Sequence, residues 1–171
     1  MNVLLVIDMQ NDFIDGALGT PEAEKIVDGV VERVKDFDGK VLFTRDTHQP
    51  DYMETQEGKH LPVPHCIEGT EGWQISQKLL SYVEEKPFNK PTFGSTELEE
   101  YMRTLSKREH IESITLVGLC TDICVISNAM LMKANFPEIP ILVEEKLCAG
   151  VVPESHYRAI EAMKMCQIDI V

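Results

Sequence analysis

Basic charge is scarce in this chain: 16 lysines and arginines stand against 29 aspartates and glutamates, for a formal net charge of −13. A surface of that sign repels phosphate backbones and anionic lipid, so nucleic acid and membrane surfaces are poor partners. Long apolar runs are also missing, and none approaches the ~20 residues that a membrane-spanning helix needs. No charged, cleavable leader precedes the first apolar run, and no repeat, linker or low-complexity segment interrupts the chain. These absences point to a single domain over residues 1–171 in the cytoplasm. A chain of that length buries roughly two-thirds of its unfolded surface around one core, so it needs no covalent staple.

The cysteines do not pair up either. Cys66, Cys120, Cys124, Cys148 and Cys166 are odd in number and scattered, which fits free thiols in a reducing compartment. A structural zinc site wants a second Cys or His pair at matching spacing, and none follows Cys124. A redox motif wants C-x-x-C, whereas "CTDIC" is C-x-x-x-C.

What is present is an alternation of strand and helix patterns. "NVLLVID" (Asn2 to Asp8) has the continuous apolarity of a strand covered on both faces, and it reads as the central strand. "TPEAEKIVDGVVERVKDF" sets Ile26, Val27, Val30, Val31 and Val34 at helical spacing behind a Thr20-Pro21 start. "KVLFTRD", "SITLVGL" and "IPILVEEK" are further strands, with an uncertain one near Val83 to Phe88. "STELEEYMRTLSKRE", "TDICVISNAMLMKANF" and "PESHYRAIEAMKM" are helices, and "IDIV" closes the chain. Thr47 to Trp73 shows no periodicity and reads as a long functional loop. The pattern predicts a three-layer α/β/α fold, with a doubly wound, mainly parallel sheet of Rossmann-like order. Such sheets bind ligands in the crevice outside the carboxyl ends of the strands.

That rim carries Asp8, Asp46, Lys90 in the loop after the uncertain strand, and the turn from Gly118 to Cys124. A helix starting near Thr121 or Asp122 would put the Cys124 thiol in its first turn, where the helix dipole favours a thiolate. Asp122 reads as the cap of that helix. Asp8 at the mouth of a buried strand would have a raised pKa and could shuttle a proton. Lys90 between Asp8 and Cys124 would hold the carboxylate and stabilise the thiolate. Read singly, each has a plainer role: a buried small hydrophobe, a solvated strand end and a loop lysine. In the loop, Asp46, His48, Glu54, Glu57, His60 and His65 offer oxygen and imidazole donors suited to Zn²⁺, Fe²⁺ or Mn²⁺.

"LLVIDMQNDF", "FTRDTH", "LPVPHCIEGTEGW", "KPTFGSTELEEYM", "VGLCTDICVISNAM" and "LCAGVVPESHYRAIEAM" follow one another in this order. Together they resemble the isochorismatase-like cysteine hydrolases, most closely the nicotinamidase branch, over essentially the whole chain. The resemblance implies Asp8, Lys90 and Cys124 as catalytic aspartate, lysine and nucleophile. It implies a cis peptide after Leu119 and an oxyanion hole of the Cys120 and Cys124 N–H groups, so that Cys120 contributes its backbone. It implies one divalent metal, Zn²⁺ before Fe²⁺ or Mn²⁺, on Asp46, His48 and His65. Glu57 is the implied fourth ligand, with Glu54 as the alternative, and His60 has no counterpart. Phe13 matches an aromatic of the nicotinamide pocket, whereas Pro62 stands where a second aromatic is common. The expected activity is hydrolysis of a small carboxamide, nicotinamide first, and a homo-oligomer is compatible with it. Two alternatives stand beside it: a family hydrolase acting on another small amide or a related substrate such as a vinyl ether, and a non-enzymatic binding protein of the same fold. Intact Asp8, Lys90 and Cys124 speak against the vinyl-ether and binding-protein readings.

Overall fold

The computed structural model describes residues 1–171. Its elements in chain order are β1 (Asn2–Ile7), α1 (Asn11–Ile14), α2 (Pro21–Lys35), β2 (Lys40–Asp46), α3 (Gln56–His60), β3 (Phe88–Lys90), α4 (Thr96–Ser106), β4 (Ser113–Leu119), α5 (Ile126–Asn135), β5 (Ile141–Ala149), α6 (Pro153–Met165) and β6 (Asp169–Ile170). The strands form one parallel sheet in the order β3-β2-β1-β4-β5-β6. Every step is a crossover, because parallel neighbours cannot be joined by a hairpin.

Side-chain alternation along β1 builds both halves of the core. Val3, Leu5 and Ile7 point to one face, where they pack with Leu98 and Met102 of α4, Ala129 and Met132 of α5, and Ile160 and Met163 of α6. Leu4 and Val6 point to the other, against Phe13 and Ile14 of α1 and Ile26, Val27, Val30 and Val34 of α2. All five are fully buried, which is why the strand reads as an unbroken apolar run. The architecture is the expected three-layer α/β/α sandwich. No helix is long and apolar enough to cross a membrane.

Start signals act where the sequence places them. Thr20 accepts from Ala23 N–H at 3.0 Å and Ser95 from Leu98 N–H at 3.1 Å, each satisfying a donor that the first helical turn leaves open. Some expectations need correction. The third strand is Phe88–Lys90, so Lys90 ends a strand and does not lie in the loop beyond it. The 47–73 segment is irregular but ordered. It holds a 3₁₀ turn (Tyr52–Glu54) and α3, and is fastened by a bridge between His48 and Ile67. Its short turns are below the length at which hydrophobic periodicity can be read. After β4 the chain makes a π turn (Thr121–Val125) before α5, with Val125 N–H reaching Cys120 O at 3.0 Å.

The sheet order reverses between β2-β1 and β4, and a crevice opens at such a switch point. Gly118 makes the approach possible there. Its φ is +116°, and a Cβ would stand 2.1 Å from Ile7 O, so only glycine fits.

Candidate active site

Asp8 is the first residue past β1 and turns out of the sheet with φ +45°. Thr44 of β2 fixes it from both ends: its hydroxyl donates to Asp8 Oδ1 at 2.6 Å and accepts from Asp8 N–H at 3.1 Å. The other oxygen, Oδ2, lies 2.6 Å from the Lys90 ammonium. That contact is an ion pair outside hydrogen-bond alignment, and Oδ2 has no aligned donor. Lys90 Nζ also donates to Asp46 Oδ1 at 3.2 Å, Thr92 O at 3.1 Å and Cys124 Sγ at 3.3 Å. Asp8 and Lys90 are at most 1 % exposed, so their charges interact with little screening by water.

Titration follows from that burial. Burial drives the Asp8 carboxyl above its ordinary range, neighbouring Asp46 adds to the rise, and Lys90 and Thr44 oppose it. For Lys90, burial works against the ammonium, yet Asp8, Cys124 and Asp46 outweigh it and hold the group charged. Cys124 departs from expectation. Burial first, and then the Asp8 charge, push its thiol well above the ordinary value, with Lys90 opposing. Cys124 therefore rests as a thiol beside the Asp8 carboxyl group, and desolvation outweighs the helix-end effect. Asp122 is no cap either. Its carboxylate accepts from Val151 N–H, at 3.2 Å to Oδ1, and the turn has no side-chain cap.

Asp46 joins this group to a second one. Its Oδ2 lies 2.9 Å from His48 Nε2 and 3.4 Å from His65 Nε2, and Glu57 Oε1 is 3.6 and 3.7 Å from the same two nitrogens. One donor atom from each of Asp46, His48, Glu57 and His65 lies within 4.8 Å of the others. The donor chemistry fits a divalent cation: two imidazoles and two carboxylates, three of the four residues buried. His65 Nδ1–H donates to Val63 O at 2.8 Å, which turns Nε2 toward the cluster, the orientation that metal-bound histidines take. Burial opposes ionisation of Asp46, but His48, His65 and Lys90 hold it well below the usual carboxylate range. Glu57 is pushed up by burial and by Asp46. Glu54 is exposed on the 3₁₀ turn outside the cluster, and exposed His60 bonds Gln56 O at 2.9 Å.

A cavity of about 210 Å³ connects the two groups, lined by Phe13, Asp46, His65, Phe93, Cys120 and Cys124 among others. Phe13 lies 5.5 Å, centroid to centroid, from the His65 ring. The peptide before Cys120 is cis. Leu61 lines the cavity while Pro62 faces solvent. Trp73 is a packing residue: its Nε1–H donates to Thr47 Oγ1 at 2.8 Å, and Arg45 stacks on its ring at 3.8 Å.

Several supporting residues went unread in the sequence. Gln10 is fully buried and exchanges two hydrogen bonds with the Asp46 backbone, at 2.7 and 2.8 Å. Asp12 accepts from Cys66 N–H at 2.7 Å, tying down the residue after His65. Asn128 donates to Cys124 O at 2.8 Å and to Phe93 O at 3.0 Å. The available signal is a polar residue on an otherwise apolar strand or helix face, as with Thr44 in "LFTRD", since buried polar groups must find partners.

Fold and site together define a doubly wound α/β protein with a buried thiol, lysine and aspartate beside a two-histidine, two-carboxylate cluster. The Isochorismatase domain model matches residues 2–171, and the chain belongs to the isochorismatase family. It is 24 % identical over 215 residues to the nicotinamidase of Saccharomyces cerevisiae, covering 100 % of this chain and 99 % of that one. It is 26 % identical over 193 residues to the nicotinamidase/pyrazinamidase of Mycobacterium tuberculosis, covering 100 % and 98 %. Among solved structures, the pyrazinamidase of Pyrococcus horikoshii in complex with zinc superposes with a TM-score of 0.82 at 26 % identity, covering 99 % and 98 %.

Proposed function

We propose that this single-domain protein is a metal-assisted cysteine amidohydrolase that converts nicotinamide and water to nicotinate and ammonia through a thioester on Cys124. The observation that carries the reading is Lys90. One ammonium lies 2.6 Å from Asp8, 3.3 Å from Cys124 and 3.2 Å from Asp46, so base, nucleophile and metal-site carboxylate are indexed to a single cation.

The chemistry follows from the protonation states. Cys124 rests as a thiol and needs a base; Asp8, with its raised pKa and unaligned Oδ2, is placed to take the proton as sulfur attacks the carboxamide carbon. The carbonyl electrons move to oxygen, which the N–H groups of Cys120 and Cys124 receive. Collapse breaks the C–N bond as Asp8 returns the proton to nitrogen, releasing ammonia. Asp8 then takes a proton from water attacking the thioester; collapse breaks the C–S bond, Asp8 returns that proton to sulfur to restore the thiol, and the nicotinic acid released gives up its proton to become nicotinate. Lys90 stays charged, offsetting the negative charge passed between Asp8 and sulfur. Asp46, His48, Glu57 and His65 would hold a divalent cation, which would supply a Lewis acid beside the cavity for the substrate's ring nitrogen. Zn²⁺ suits that donor set, with Fe²⁺ or Mn²⁺ as alternatives. Phe13 offers the ring an apolar wall.

Pro62, facing solvent where a pocket aromatic is common in the nicotinamidase branch, favours a second reading: the same machinery acting on a different small amide. Ammonia release from a panel of amides, with protein of measured metal content, decides between them. Nicotinamide and pyrazinamide should both be hydrolysed. Turnover of other amides with no pyridine carboxamide among them would sink the nicotinamidase assignment and keep the cysteine hydrolase.

A further inference from the structure

The turn that carries Cys124 is held from its α5 side by Asn128, whose amide donates to Cys124 O at 2.8 Å. It is a π turn, wider than an α turn, and no side chain caps its start. Two side chains at its head reach instead to the segment around the start of α6. The Thr121 hydroxyl, fully buried, is 2.8 Å from His156 Nδ1 on α6, and Asp122 accepts from Val151 N–H in the loop before α6. Gly150 lets this loop lie against α6, since a Cβ there would stand 2.9 Å from the His156 backbone nitrogen.

We infer that His156 is a positioning residue for the proposed reaction, setting the catalytic turn through its hydrogen bond to Thr121. Thr121 directly follows Cys120 and precedes Cys124 by three residues, so a contact at Thr121 bears on both N–H groups assigned to the oxyanion and on the nucleophile, from the side opposite to Asn128. His156 Nε2 lies on the side of Glu145, 3.9 Å from its Oε1, and with the proton on Nε2 the Nδ1 lone pair accepts from the Thr121 hydroxyl. Burial pushes the imidazole below its ordinary pKa, with Glu145 and Asp122 opposing, which keeps it neutral at neutral pH. The imidazole lies outside the reaction cavity and touches no reacting atom. Its effect should therefore fall on kcat and spare KM, because a misplacement of about 1 Å at the reacting centre costs ~10²-fold.

The inference rests on Cys124 as nucleophile. In metal-loaded protein, Thr121→Val and His156→Ala should each lower kcat for nicotinamide by about 10- to 100-fold with KM changed less than about twofold. Thr121→Ser should retain the rate, and His156→Asn, which presents a polar atom at the level of Nδ1, should recover most of it. The double variant Thr121→Val/His156→Ala should be no worse than the poorer single, the signature of one shared interaction. Losses that add in the double variant, or that merely track a fall in Tm, would overturn the inference. A substrate-free readout keeps it separate from the amidase reading. Alkylation of Cys124 by iodoacetamide, followed by peptide mapping, should change at least severalfold between wild type and Thr121→Val. Equal rates would overturn the clamp even if nicotinamide is hydrolysed, and a changed rate would support it even if nicotinamide is not a substrate.

Discussion

Asp8, Lys90 and Cys124 stand at or just past the ends of β1, β3 and β4, whereas His48, Glu57 and His65 sit on the irregular 47–73 segment. Asp8 and Lys90 are placed by the sheet itself, through strand order and register, and Cys124 by the π turn that follows β4. The second group is placed by local ties, namely Asp12 holding Cys66, the backbone bridge between His48 and Ile67, and Tyr52 donating to Leu61 O at 2.8 Å. Asp46 is common to both, with one oxygen on Lys90 and the other on the histidines. The difference predicts that reactivity is tied to the fold, while the metal cluster should come apart without unfolding the protein.

The sharpest test of that contrast removes the thiol proposed as the nucleophile. Cys124→Ala should lower kcat by ~10⁶, the scale seen when a covalent nucleophile is lost. Cys120→Ala should stay within about tenfold of wild type, because only the Cys120 N–H enters the reaction. Equal losses from the two would mean that the thiols act as a pair.

The metal half can be challenged with benzamide, which lacks only the ring nitrogen. Its kcat/KM should fall ~10²-fold or more below that of nicotinamide, a cost of about 3 kcal/mol for a reacting group no longer positioned. Chelation should bring nicotinamide down by a similar factor while circular dichroism stays unchanged, since His48, Glu57 and His65 sit on the irregular 47–73 segment and only Asp46 belongs to the sheet. Comparable rates for the two amides would take the metal out of substrate binding.

The thiol's titration sharpens the other half. Burial and Asp8 raise the Cys124 pKa, so at neutral pH the thiolate is a small fraction that grows about tenfold per pH unit below that pKa. Alkylation of Cys124 in the substrate-free protein should climb steadily from pH 7 to about pH 9. A plateau near neutrality would restore the helix-end thiolate expected from the sequence.

These contrasts also mark what could be read from the residues alone. β1, β2 and β4 were legible because strands buried on both faces show short, mostly apolar runs, and α2 and α4 because Thr20 and Ser95 announce them. Once the strands were ordered, Asp8 and Cys124 had to meet at the rim. The path from Thr47 to Trp73 was not legible, because its turns are fixed by side chains distant in sequence, such as Asp12, and no local pattern records such a tie. The raised pKa of Cys124 was missed for a related reason: sequence shows the helix start but not the depth of burial, and burial decides the sign.

Within the metal cluster the fine distinction is between two nearby carboxylates. Glu57 Oε1 stands 3.6 Å from His48 Nε2 and 3.7 Å from His65 Nε2, whereas Glu54 is exposed outside the cluster. Glu57→Gln keeps the shape and removes the charge, so a competing chelator should strip the metal at ~10-fold lower concentration, in line with the 10- to 100-fold cost of disturbing a metal site. Glu54→Gln should shift that concentration less than about twofold, and His60→Ala likewise, since that ring is already committed to Gln56 O. Because Asp46 still holds Lys90 in the Glu57 variant, alkylation of Cys124 should keep its wild-type rate. A larger effect from Glu54→Gln would reassign the fourth ligand. A changed alkylation rate in Glu57→Gln would mean that the two halves of the site are coupled more widely than through Asp46.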